Sequence, residues 1–188
     1  MSLSHAILGF LSKQPQTGYT LKNEHFDKSV AYFWPADQTQ IYKTLDKLVE
    51  QGFATSKIEY QSDRPNRKVY SITKQGKIEL ERWLGETIEP PMYRDPLLVQ
   101  LFFSEFGDSE TMINVLKSAR AKHEAVLQAL MAVDLPVAGK CTDYEDLAAR
   151  LTLELGLKSK QAYIEWFDEA IAAISAFDKK RKRAGKAK

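Results

Sequence analysis

Cysteine is almost absent: Cys141 is the only one in 188 residues. No disulfide can form within the chain, which suits a reducing cytoplasm. Histidine is nearly as scarce. His5, His25 and His123 are scattered, and none pairs with Cys141 or a carboxylate at a metal-ligand spacing. No metal and no other cofactor is therefore expected. A glycine-rich phosphate loop, a G-x-S-x-G elbow and an H-E-x-x-H pair are all missing, so no catalytic residue is nominated and the chain is not read as an enzyme. No apolar run approaches the roughly 18–20 residues of a membrane span. The opening MSLSHAILGFLSKQ has no basic region ahead of a short, interrupted apolar run. It reads as a helix, not a signal peptide. A cytoplasmic protein without a membrane partner is the expectation.

What is present is the composition of a globular protein: 44% hydrophobic, 28% charged and 11% aromatic. The formal net charge of +2 hides an uneven distribution. Residues 1–85 hold 12 cations and 9 acids, residues 86–178 hold 8 and 16, and residues 179–188 hold 7 and none. The acidic stretch would be repelled by nucleic acid, so it has another task.

The chain is organised around Trp34 to Gly76. Asp37 is placed to cap a helix. Ile41, Leu45 and Leu48 then form one apolar stripe, and Gly52 suits the left-handed position that ends the helix. The period then changes. Phe53 to Tyr60 and Arg67 to Thr73 are rich in aromatic and β-branched residues, which predicts two strands joined by the polar turn 61–66. At 100° per residue, Thr39, Gln40, Lys43 and Lys47 lie opposite the apolar stripe, with Tyr42 at its border. Gln and Lys are types that contact base edges or phosphates in a major groove. Arg64, Arg67, Lys68, Lys74 and Lys77 follow with no acid among residues 64–77, so the hairpin side reads as positive. A recognition helix followed by a basic wing is the pattern of a double-stranded DNA binder. The competing reading is a helical adaptor whose winged domain binds protein instead of DNA.

Upstream, Leu3, Ile7, Leu8 and Leu11 mark a first helix. Thr17 caps a short second one, in which Tyr19 and Phe26, with Leu21, read as inward-facing. Thr73 caps a helix with Ile78, Leu80, Trp83 and Leu84. Glu89-Pro90-Pro91 breaks the chain. Beyond it Asp95-Pro96 opens a helix with Leu97 to Phe103 as an apolar face. A second helix from Asp108 or Ser109 carries Met112 to Leu130, and a third runs from about Asp143 to about Phe177. These stripes exceed what three helices need among themselves, which points to a second copy of the chain. Trp166, Ile171, Ile174 and the Leu97–Phe103 face are expected to hold that dimer. The fold class is mainly α with a small β-wing. A winged helix-turn-helix DNA-binding domain (1–88) precedes a helical dimerisation domain (89–178), and the basic tail 179–188 reads as disordered.

These pieces together resemble the PadR family of transcriptional regulators. SHAILGFLSKQPQTGYTLKNEHF is similar to the family's first two helices, including Gly18-Tyr19-x-Leu21. FWPADQTQIYKTLDKLVEQG is similar to its recognition helix, with Ile41-Tyr42 and Leu45 in place. RKVYSITKQG resembles its second wing strand and the turn after it, through Tyr70, Thr73 and Gly76. DPLLVQLFFSEF and LELGL with YIEWFDEAI resemble its C-terminal domain. Thr17 stands where many members have histidine, and the tail from Lys179 is no part of the pattern. The resemblance implies a homodimer whose C-terminal helices grip the other subunit and whose wings bind a palindromic operator. A repressor released by a small aromatic effector is the regulator expected. Tyr19, Trp34, Trp83 and Trp166, with Tyr163, are the candidates for an effector pocket between domains or across the dimer, although aromatics at helical spacing are more often core.

Overall fold

α1 (Ser2–Lys13) sends Ile7, Leu8 and Leu11 into a core where each is all but inaccessible. A two-residue strand, β1 (Gln16–Thr17), follows. Thr17 caps α2 (Gly18–Thr20), its Oγ1 accepting from the Thr20 amide at 3.0 Å. The helix then continues as a π-helix over Leu21–Ser29, closing with the Val30 amide on the His25 carbonyl. Leu21 and Phe26 face the core as expected; Tyr19 does not, and is 68% exposed. α3 (Gln38–Glu50) adds Ile41, Leu45 and Leu48 to the same core. It ends at Gly52, whose φ of +73° is the left-handed conformation a side chain would disfavour.

β2 (Ala54–Glu59) and β3 (Arg67–Ile72) pair antiparallel from Ala54 opposite Ile72 to Glu59 opposite Arg67. β1 adds to the other edge of β3, with Gln16 opposite Tyr70, so the sheet order is β1-β3-β2. Thr73 joins the wing to α4 (Lys74–Leu84). Its hydroxyl donates to the Gly52 carbonyl at 2.7 Å and accepts from the Gly76 amide at 3.0 Å. Gly76 is packed so tightly that a Cβ would lie 2.1 Å from the Phe53 carbonyl oxygen.

This computed structural model describes residues 2–60, 62, 66–89 and 92–186. The chain divides into two compact units, Met1–Pro91 and Met92–Lys188, three residues beyond the boundary expected from sequence. In the second unit Asp95 caps α5 (Pro96–Phe102) through the Leu97 amide, with Pro96 in the first turn. Asp108 caps α6 (Ser109–Met131) through the Thr111 amide. α7 (Tyr144–Lys186) is 43 residues long, and the Asp143 carboxylate accepts from the Asp146 amide at its start. α6 and α7 pack along their length. Met112, Leu116 and Phe167 form the centre, and Arg120 grips Asp168 through two nitrogens at 2.7 and 3.1 Å. A Cβ on Gly156 would come within 3.1 Å of Leu130 Cδ1.

One expectation is narrowed here and a second changes. Trp166, Ile171, Ile174, Leu97 and Leu101 pack against the centre of their own subunit. The apolar surface left outward on this segment is Leu98, Val99, Phe102, Phe103 and Phe106. The basic tail is the second: α7 continues as helix to Lys186, past the Lys179 start assigned to a disordered arm. Lys, Arg and Ala are good helix formers, and cations at a helix C-terminus meet the negative end of its dipole.

Candidate nucleic-acid interface

α3 is fixed at its start by a capping box. The Asp37 carboxylate accepts from the Gln40 amide at 2.8 Å, and Gln40 Oε1 accepts from the Asp37 amide at 3.0 Å. With Ile41, Leu45 and Leu48 buried, Thr39, Gln40, Lys43 and Lys47 are all exposed, as the spacing predicts. Lys43 and Lys47 make no ion pair with another described residue. Gln40 has a second duty that the sequence reading missed: its carbonyl oxygen serves the cap, which leaves its amide nitrogen free for a base edge. The D-x-x-Q spacing was the available signal.

Tyr42 is half-buried and seated over helix two. A Cβ on Gly18 would stand 2.6 Å from Tyr42 Cε1, so the glycine is what lets helix two approach α3. This makes Tyr42 a spacer between the two helices of the helix-turn-helix. Helix two is held from behind by a buried polar chain. Gln16 Nε2 donates to the Phe10 carbonyl at 3.2 Å, and Gln16 Oε1 lies 2.9 Å from His25 Nε2, whose ring stacks on Phe10. Burial, with Lys13 nearby, lowers the His25 pKa. Gln16 Oε1 can only accept, so the His25 Nε2–H is the donor.

The wing is less freely positive than the run of cations suggested. Arg67 donates to Glu59 across the strand pair at 2.7 Å. Lys68 donates to Asp46 of α3 at 3.0 Å and sits 5.1 Å above the Tyr70 ring. The Asp46 hydrogen bond, then the one to Tyr70, raises the Lys68 pKa. Reading residues 64–77 alone hid both acids, because Glu59 lies on the other strand and Asp46 on the helix. Arg64 lies outside the described residues.

The aromatic candidates divide between the two units. Within the first unit Tyr19 is exposed, Trp34 is 39% exposed, and Trp83 stacks on His5 at 4.5 Å. Glu79 receives the His5 ring at 3.1 Å and is held near pKa 2, first by Arg82 and then by His5. In the second unit Trp166 lies edge-on to Phe167, and Tyr163 contacts His123 at 4.6 Å. No described helix is long and apolar enough to cross a membrane.

A recognition helix braced by a second helix and flanked by a three-stranded wing defines a winged helix-turn-helix regulator. Residues 7–82 match the model of the transcriptional regulator PadR-like family, and residues 93–175 match that of the virulence activator alpha C-terminal domain. A probable transcriptional regulator of Mycobacterium tuberculosis is 30% identical over 93% of this chain and 98% of its own. PadR of Bacillus subtilis, a negative transcriptional regulator, is 28% identical over 92% and 97%. Its structure in complex with operator DNA superposes with a TM-score of 0.80 at 27% identity, covering 93% of this chain and 99% of that one. The same protein in complex with p-coumaric acid gives 0.73 at 25% identity, with coverage of 93% and 99%. The Vibrio cholerae virulence activator AphA gives 0.74 at 29% identity, with the same coverage. The chain belongs to the PadR-like family of transcriptional regulators, and these relatives are regulators, not enzymes.

Proposed function

We propose that this chain is a homodimeric repressor that binds a palindromic operator through α3 and the wing and is released by a small aromatic effector. The observation that carries the reading is the outer face of α3. Thr39, Gln40, Lys43 and Lys47 stand exposed on a helix whose opposite face is locked into the core. Such a face fits a major groove, and the adjoining hairpin supplies phosphate contacts. The likeness to the DNA-bound form of B. subtilis PadR extends over nearly the whole chain and supports the same use. The effector part rests on the p-coumaric acid complex of that relative and on the exposed rings of Tyr19 and Trp34. The outward phenylalanines of the second unit support a second copy as its partner.

Footprinting the protein on the region upstream of its own gene tests this reading. A protected site with two-fold symmetry is expected, with affinity that falls steeply with salt as phosphate contacts require. Aromatic acids added to the complex should release it. Transcription from the bound promoter, measured with and without the protein, tests repression against activation. Failure to bind any duplex at low salt would overturn the reading in favour of a protein-binding winged domain.

A further inference from the structure

The outer face of α3 carries acids as well as cations. At 100° per residue, Asp46 and Glu50 fall beside Thr39 and Lys43, opposite Ile41, Leu45 and Leu48. The face therefore has two lysines and two carboxylates, and cancels. A carboxylate on a helix that enters a groove faces phosphates on both sides, and repulsion disfavours it there unless a cation neutralises it. Lys68, arriving from β3, is that cation for Asp46, at 3.0 Å. Both side chains are roughly half exposed, 45% for Lys68 and 56% for Asp46. An ion pair that open contributes little to stability, so its effect is on the charge the face presents.

We propose that Asp46 is a specificity-determining residue. By engaging Lys68 it withholds a wing cation from the phosphate backbone, and so lowers affinity for DNA of any sequence while leaving the base-reading groups untouched. This rests on the DNA-binding reading above. Discrimination is a difference between specific and random affinity, and it improves as much by weakening the second as by strengthening the first. Lys43 and Lys47, which have no carboxylate partner among the described residues, remain the cations that α3 offers to DNA. Lys68 serves the helix instead.

The test uses the full chain, a random-sequence duplex and a salt series, with Asp46→Asn, Lys68→Gln and the double variant. Asp46→Asn frees Lys68. It should bind random duplex several-fold more tightly at low salt, with a slope of log affinity against log salt steeper by about one. Lys68→Gln should keep the parental slope and bind more weakly, because Asp46 is then bare. The double variant should recover the parental affinity and slope. Thermal melts of all three check that the fold is kept. A Lys68→Gln variant whose slope flattens by about one, with Asp46→Asn unchanged from the parent, would overturn the proposal, since Lys68 would then be an ordinary phosphate contact. Identical slopes in every variant would overturn it too while leaving DNA binding intact. A parent that binds no duplex would remove both this proposal and the reading beneath it.

Discussion

Gln40 shows how one side chain can serve the fold and still present a polar group on the proposed reading face. Its oxygen closes the capping box and its nitrogen points to no described acceptor. Gln40→Glu separates the two, since a carboxylate at this position also closes the box but offers no donor to adenine. The variant should keep the parental melting temperature and lose about 1–3 kcal/mol of discrimination at one base pair of each half-site, measured by competition with single-site operator variants. His123 is a residue whose environment is unfavourable. Its Nδ1 is buried with no partner among the described residues, between Tyr163 and Phe167. Burial lowers its pKa, helped by Lys160 and opposed by Asp95. The unfolded chain therefore takes up a proton below about pH 6.5 while the folded one resists it. The stability present above that pH is lost as pH falls toward the depressed folded value. His123→Phe removes both the orphan nitrogen and this proton uptake. Its urea midpoint should fall less than the parent's between neutral and mildly acid pH, and should exceed it on the acid side.

At the scale of elements, legibility followed sequence distance. The caps at Thr17, Asp37, Thr73, Asp95 and Asp108 stand where expected, because a cap is settled by residues three or four apart. β1 escaped notice, since two residues carry no period. The Glu59–Arg67 and Asp46–Lys68 pairs are invisible to a charge count along the chain, because strand pairing makes the first and the packing of β3 against α3 makes the second. The fold class was readable from periodicity; the electrostatics of the interface needed register. The wing base offers a sharp test. Gly76→Ala would drive a methyl into the Phe53 carbonyl, which is backbone and cannot rotate away. Overpacking costs about 1–3 kcal/mol in a well-packed core, and chemical denaturation should place this variant at the upper end. Its DNA affinity should drop as well, because Phe53 is where the wing begins.

At the scale of the whole molecule, the division into two units matches a division of labour in charge. Cations are in excess in residues 1–85 and 179–188, and the acids concentrate between them. The sequence predicted a dimer held by Trp166, Ile171, Ile174 and the Leu97–Phe103 face, and long apolar stripes do not say which side closes within the subunit. Trp166, Ile171 and Ile174 are partly buried against the Phe167 centre, while Phe102, within that face, and Phe106, just beyond it, are 78% and 83% exposed. Phe102→Ser with Phe106→Ser should therefore weaken self-association without unfolding α6 and α7. Sedimentation at micromolar concentration should show a shift toward monomer with helical circular dichroism unchanged. Operator affinity should fall with it, since two half-sites bound by one dimer gain from effective concentration that two monomers lack.

The π-helix of Leu21–Ser29 also bears on how the chain can change in length. Each of its i→i+5 turns holds a residue more than an α turn does, so helix two carries slack. Losing one residue there lets it rewind toward α pairing while Gly18 stays beneath Tyr42 and Asp37 stays at the head of α3. α3 has no such reserve: a deletion within it turns every later residue by 100° and swings Lys47 off the face it shares with Thr39 and Lys43. Insertions and deletions among homologous chains should therefore collect ahead of Asp37 and spare the thirteen residues after it.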